Sequence, residues 1–421
     1  MLRSIEFYNG EVRRWIASDK RTPVDDFVKY DDANIGWSRD LKADLKRGRL
    51  AEFDEAKLRQ SLYRPFTQPN LFLDRILNEE VYSFPKYLPD ASSEEENRII
   101  CSPSAGARAS YWALCTRLIP NLALTSIDAA QCFPFYTYAE DGTHRRENIT
   151  DWALEQFRSH YRDPSITKWD IFHYIYAVLH HPEYRERYAA NLRRELPRIR
   201  FASAGAKALE KTPNDAALKR RSSTASLQND RATANDGIRV NDSATVEERP
   251  FRAALARKES RALAPDGPVV AVKDADVFRE LVKAGRRLAE IHVHYEQQPE
   301  YPLKKTEKAG EKLDYRVTKM RLSKDKTSLI YNQFLTLSEI PKETYDYRLG
   351  NRSALEWVID QYQVSTDKRS GITNDPNRAD DPQYILRLIG QVITVSLETV
   401  KIVRVLPALG IPGNSGGELV S

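Results

Sequence analysis

Apolar positions in this chain follow two different periods. Between residues 98 and 138 they come in short runs, RIICSP, YWALCTRLI and CFPFYTYA, cut by the Gly- and Pro-bearing segments SPSAGARA and IPNLALTSIDAAQ. Runs of that length bounded by turn residues predict short strands of a sheet. Pro134 inside the third predicts an edge strand or a bulge, because proline cannot donate to a ladder. From Thr150 onward the spacing becomes three and four, as on one face of a helix. Trp152, Leu154 and Phe157 predict a helix that stops before Asp163 and Pro164. Thr167 and Asp170 have capping-box spacing ahead of Phe172, Ile175, Tyr176 and Leu179. Pro182 suits the first turn of a third helix, through Tyr184, Tyr188, Leu192 and Leu196, that Pro197 ends.

Residues 202 to 270 break both patterns: Phe251 is their one aromatic amid Ala, Ser, Thr, Asn, Asp, Lys and Arg. Too little apolar surface is available there to offset the entropy of ordering, which predicts a disordered insertion. Periodicity resumes in a helix over 277 to 292, with Phe278, Leu281, Ala284, Leu288 and Ile291 on one stripe. The segment YRVTKMRLSKDKTSLIYNQFLTL alternates as a strand does and carries Ser323, Lys324, Asp325 and Lys326 where a hairpin turns. Lys319 and Arg321 then share one face, and Met320 and Leu322 the other. In YDYRLGNRSALEWVIDQYQV, Gly350 and Asn351 break an extended run, Ser353 and Glu356 form a capping box, and Leu355, Val358, Ile359 and Tyr362 give the helix a face to bury. Arg348, Asn351 and Arg352 either decorate the start of a core helix or are held out for a partner. After a polar loop, Asp381 caps and Pro382 opens a helix to about residue 405, apolar all round and so central.

Residues 1 to 60 mix aromatics with charges and read as a connector with a short helix over 38 to 46. Beyond them Tyr63, Arg64, Pro65 and Phe66 make a compact turn. The division expected is a connector (1–60), a β-rich subdomain (61–150), a helical hairpin (151–201), the insertion (202–270), a helical and β-hairpin subdomain (271–408) and a flexible tail (409–421). The fold class is α+β: a short-stranded β region followed by a helical bundle with a β-hairpin, interrupted by a disordered insertion.

Composition narrows the functions available. A chain of 421 residues that is 41% hydrophobic can form two or three real cores. Its 65 Lys and Arg stand against 60 Asp and Glu, so a contact with nucleic acid has to come from local basic patches. Cys101, Cys115 and Cys132 have no CxxC spacing, which suggests neither a disulfide framework nor zinc and fits a reducing cytoplasm. Without a signal core or an apolar run of about 18 residues, no membrane partner is expected. GxxxxGK[ST], a GxGxxG after a strand, GxSxG and the Asp/Asn-Pro-Pro-aromatic tetrapeptide of amino-methyltransferases are all absent. His180 and His181 are adjacent and so point about 100° apart on a helix, while His292 and His294 lack a third ligand. No catalytic residue and no metal site is expected.

LYRPF at 62 to 66, QCFPFYTY at 131 to 138, ITKWDIFHYIYAVLHHPEYRERYAANLRRELPRI at 166 to 199, KMRLSKDKTSLIYNQFLTL at 319 to 337 and the 345 to 364 stretch with DKRSGITNDPN closely resemble the C-terminal region of Type ISP restriction-modification enzymes. Those are single-chain bacterial machines with a nuclease, a helicase-class translocase, an adenine-N6 methyltransferase and a C-terminal target-recognition region. The resemblance implies recognition of a double-stranded DNA sequence, with the catalytic modules upstream of Met1. It implies no cofactor in this chain, since S-adenosylmethionine, ATP and magnesium belong to the full-length enzyme. The residues expected at DNA are Lys319, Arg321, Lys324, Arg348, Asn351 and Arg352, with Arg64 behind them, the hairpin being a ribbon of the width a major groove admits. The alternative is a component of an adenine-N6 DNA methyltransferase that acts only with a separate methyltransferase or helicase chain.

Overall fold

A computed structural model describes residues 1–79, 81–139, 141–203 and 267–410. Most of the predicted insertion and of the tail falls outside the described residues. The fold is α+β, with small sheets set between helices.

The first fifty residues are more than a connector. Helices α1 (Leu2–Ile16), α2 (Val24–Phe27) and α3 (Arg39–Lys46) build a core that Phe72 joins from outside them, in which Ile5, Tyr8, Val12 and Trp15 of α1 meet Leu41 and Leu45 of α3. Ser38 caps α3 by accepting from the Leu41 N–H at 3.2 Å. Asn9 holds the far side, its amide exchanging hydrogen bonds with both backbone groups of Ala51 at 2.8 and 2.9 Å. Charged residues between the apolar ones hide this face in the sequence.

Strand β1 (Leu58–Leu62) pairs antiparallel with β2 (Asn70–Phe72) and parallel with β5 (Ile119–Pro120). In a second sheet β3 (Ile99–Pro103) lies between β4 (Leu114–Thr116) and β6 (Ala130–Pro134), so Pro134 stands on an edge strand as its chemistry requires. A third pairing joins β7 (Tyr136–Thr137) to β8 (Arg146–Glu147). The short helices α4 (Phe84–Tyr87) and α5 (Ala91–Glu96) cover β1. There Arg59 is buried against the Glu94 carboxylate at 2.6 Å and donates to the carbonyls of Leu88 at 3.3 Å and Asp90 at 2.7 Å.

The helical layer contains α6 (Asp151–Tyr161), α7 (Lys168–His180), α8 (Pro182–Arg187), α9 (Ala189–Arg194) and α10 (Gly267–Val293). The expected capping box of Thr167 and Asp170 opens α7. The expected third helix is two helices, because Tyr188 leaves helical geometry at φ −100° and ψ 17°. Helices α7 and α10 cross at Gly285, where a Cβ would lie 2.7 Å from the His173 carbonyl carbon and 3.1 Å from the Ala177 nitrogen. One side chain of this layer touches both Ala202 and α10. The Tyr161 hydroxyl accepts from the Ala202 N–H at 2.9 Å, and the Tyr161 ring stacks on Phe278 at 4.5 Å.

The C-terminal part holds a sheet of order β10–β11–β12–β9, from β9 (Lys304–Glu307), β10 (Arg321–Leu322), β11 (Ser328–Ile330) and β12 (Leu335–Ser338). It continues through β13 (Arg348–Leu349), β14 (Arg352–Ser353) and α11 (Ala354–Gln361) to α12 (Tyr384–Arg404), whose apolar residues are buried on several sides. Helix α12 begins at Tyr384 rather than at Pro382. Asp381 pairs with Arg387 at 2.5 Å instead of capping the first turn.

A buried hydrogen-bond chain ties the two larger cores together. The Cys115 N–H donates to the Tyr176 hydroxyl (2.8 Å), which lies 2.6 Å from His292 Nδ1, and His292 Nε2 lies 2.8 Å from Thr399 Oγ1. Thr399 donates its own proton to Val395 O at 2.7 Å. The chain is therefore satisfied when His292 is neutral with its proton on Nε2. Burial pushes His292 down to about 3, and burial with the nearby Arg286 charge pushes His173 to about 4. In the unfolded chain both titrate near 6.5, so below that pH the unfolded state binds more protons and stability falls. Moving from pH 6.5 to 5 should remove about 2 kcal/mol for each histidine. Urea midpoints at pH 7.5 and 5 check this, and His292→Gln should reduce the difference by about 2 kcal/mol while the His173 share remains.

Candidate functional site

The predicted hairpin forms, and its tip is clamped. Arg321 pairs with Ile330 and Leu322 with Leu329, and Ser323 N–H donates to Ser328 O at 2.9 Å. Asp325 accepts from the hydroxyls of Ser323 (2.6 Å) and Thr327 (2.8 Å), which lower its pKa to about 2. Lys326 turns the chain at φ 58°, gives its ammonium to Glu356 at 2.7 Å, and accepts at its carbonyl from the Tyr345 hydroxyl at 2.8 Å. Glu356 is also the third helical residue of the Ser353 capping box, so the hairpin tip is fastened to the first turn of α11. Met320 and Leu329 face the core, while Lys319, Arg321 and Lys324 face solvent. None of these three has a carboxylate within ion-pair distance among the described residues.

A second, smaller hairpin carries the next group. Strands β13 and β14 pair Arg348 with Ser353 and Leu349 with Arg352, leaving Gly350 and Asn351 as the turn. Gly350 sits at φ 67°, which a side chain resists, and its α-carbon faces Thr125, whose Cβ would be 3.5 Å from an added methyl. Arg348 is exposed and donates to the Asn351 carbonyl. Arg352 is more committed, bonded to Asp360 at 2.8 Å and lying 4.9 Å over the Trp357 ring.

Thr125 belongs to a segment that the sequence presented only as punctuation. Residues 121–129 form a closed loop: Ala130 N–H donates to Leu122 O at 2.8 Å, and Leu124 plugs the core with none of its surface exposed. Asn121 Oδ1 accepts from Ala123 N–H at 2.9 Å and from Arg64 at 3.3 Å. Arg64 is further occupied by stacking 4.2 Å over Tyr63. Arg64, the 121–129 loop and the Arg348–Arg352 turn are thereby linked edge to edge, and the clamped hairpin joins them through Glu356. Leu122 and Ile127, apolar residues in a polar turn with nothing to bury, were the signal that could have found the loop.

His180 and His181 serve the fold. His180 Nδ1 lies 2.9 Å from Tyr176 O, and His181 Nε2 lies 3.0 Å from Pro407 O. Among the described residues no group of three or more His, Cys, Asp or Glu is placed to hold a metal, and no helix is long and apolar enough to cross a membrane.

The α+β chain thus sets the basic side chains Lys319, Arg321 and Lys324 on a braced hairpin. The chain belongs to the family of Type ISP C-terminal specificity domains, whose model matches residues 1–211 and 260–388. It is similar to a nuclease-deletion mutant of the Type ISP restriction-modification enzyme LlaGI in complex with a DNA substrate mimic, at 30% identity and TM-score 0.70, covering 98% of this chain and 31% of that one. A DrdV–DNA complex matches at 30% identity and TM-score 0.67, covering 96% of this chain and 33% of that one. The ATP-dependent Type ISP restriction-modification enzyme LlaBIII bound to DNA shares the fold at 24% identity and TM-score 0.70, covering 98% of this chain and 22% of that one. This chain thus spans a third or less of each. No curated protein matches it.

Proposed function

We propose that this chain recognises a sequence in double-stranded DNA as the specificity part of a cytoplasmic Type ISP restriction-modification system. Methyl transfer, translocation and cleavage, with S-adenosylmethionine, ATP and magnesium, belong to other parts of that system. The observation that carries the reading is the solvent-facing set Lys319, Arg321 and Lys324 on a hairpin whose tip Lys326 and Glu356 hold rigid. Lysine and arginine on such a support track phosphates, which fix register without reading sequence. Arg348 and Asn351, on the neighbouring turn, have the donors and acceptors that pair with guanine and adenine edges.

A duplex library titrated at two salt concentrations tests this. Replacing Lys319, Arg321 or Lys324 by Ala should weaken binding uniformly across sequences and reduce the salt slope by about one for each phosphate left without its cation. Replacing Arg348 or Asn351 should relax the preference at one base pair, at about 1–3 kcal/mol. Salt-steep binding without any preferred sequence would remove the recognition claim.

A further inference from the structure

We infer that Ile127 is a specificity-determining residue that reads the 5-methyl group of a thymine; this rests on the DNA-recognition reading above. Single exposed aliphatics are ordinary on protein surfaces, so exposure alone says little. What distinguishes Ile127 is that it is 84% exposed at the tip of a loop braced at both ends. Asp128 accepts from Arg108 through its backbone N–H at 3.1 Å, its Nε at 3.1 Å and its Nη2 at 2.9 Å, and the Ser126 hydroxyl accepts from the Asp128 N–H at 3.1 Å. Holding Ile127 out therefore costs little further ordering when a ligand arrives. Arg108 also neutralises Asp128, the carboxylate that would repel a phosphate.

The surroundings define what the side chain meets. The Gly350 turn, which also carries Arg348 and Asn351, lies against Thr125, two residues from Ile127. Donors and acceptors of that kind read the polar edges of guanine and adenine, but the thymine methyl offers nothing to hydrogen-bond. Only an apolar group distinguishes it, and in the major groove it stands beside those polar edges. An apolar side chain fixed next to base-reading residues completes such a set.

The experiment uses the whole chain and its preferred duplex, with each thymine replaced in turn by uracil, which removes only the methyl. The wild type should bind about fourfold more weakly at one such position, the worth of one buried methyl group. Ile127→Ala should abolish the thymine–uracil difference there, leave it unchanged elsewhere, and keep the salt slope and melting temperature of the wild type. Uracil sensitivity that survives in the variant would overturn the contact while leaving sequence recognition intact. Equal weakening of thymine and uracil duplexes would also overturn it, making Ile127 a contact that supports binding without reading the methyl. A wild type with no sequence preference would instead take away the recognition reading, and the Ile127 contact with it.

Discussion

Gly285→Ala should destabilise the protein by at least about 3 kcal/mol and leave little folded chain at 37 °C. An alanine methyl at this position meets backbone, the His173 carbonyl carbon at 2.7 Å and the Ala177 nitrogen at 3.1 Å, and backbone cannot swing aside as a side chain does. Helices α7 and α10 would have to separate along an interface that buries Phe278, Leu281, Leu288 and Ile291. Overpacking of this kind costs about 1–3 kcal/mol where side chains can adjust, and more where they cannot. Alanine's better helix propensity returns only about 1 kcal/mol. Gly10 in α1 provides the opposite sign, since nothing lies within 4 Å of its would-be Cβ. Gly10→Ala should therefore stabilise by up to about 1 kcal/mol. Urea unfolding of both variants followed by circular dichroism decides the matter: equal midpoints would show that the close crossing is not needed.

Arg59→Met should cost about 3–5 kcal/mol, the effect of breaking a buried ion pair by removing one partner. Glu94 would then keep its charge in a site where burial already raises its pKa despite the attraction of Arg59. The carbonyls of Leu88 and Asp90 would lose their donor as well. Sign and pH dependence follow. With Arg59 gone, the folded-state pKa of Glu94 lies further above its unfolded value, so the loss is largest at neutral pH and shrinks as acid protonates the carboxyl. The double variant Arg59→Met with Glu94→Leu should recover much of the stability, because two apolar groups replace two buried charges. Chemical denaturation of the single and double variants at pH 7 and 5 measures each part, and a single variant as stable as the double would refute the ion-pair account.

What could be read from the sequence was local. The capping boxes of Thr167 with Asp170 and Ser353 with Glu356, the edge position of Pro134 and the hairpin turning at Lys324 and Asp325 rest on rules that span a few residues. All of these form in the structure. What escaped depends on distant partners. The α1 face acquires a meaning only when Leu41 and Leu45 return to it. The break at Tyr188 overrides a four-residue period that looked continuous. The candidate surface was half visible: residue types singled out Lys319, Arg321, Lys324, Arg348, Asn351, Arg352 and Arg64. That Arg64 leans on Asn121, that Arg352 is held by Asp360, and that Gly350 rests on Thr125 are facts of tertiary geometry. No spacing rule encodes them.

Tyr161 has a consequence for how such a domain changes over generations. Its hydroxyl holds Ala202 and its ring holds Phe278, eleven residues into α10, so one side chain anchors the chain on both flanks of the stretch between them. The cost of closing a segment across that gap grows only with the logarithm of its length, about 0.6 kcal/mol for each doubling. A longer or shorter stretch joined across that gap is therefore expected to change the closure cost by only that much.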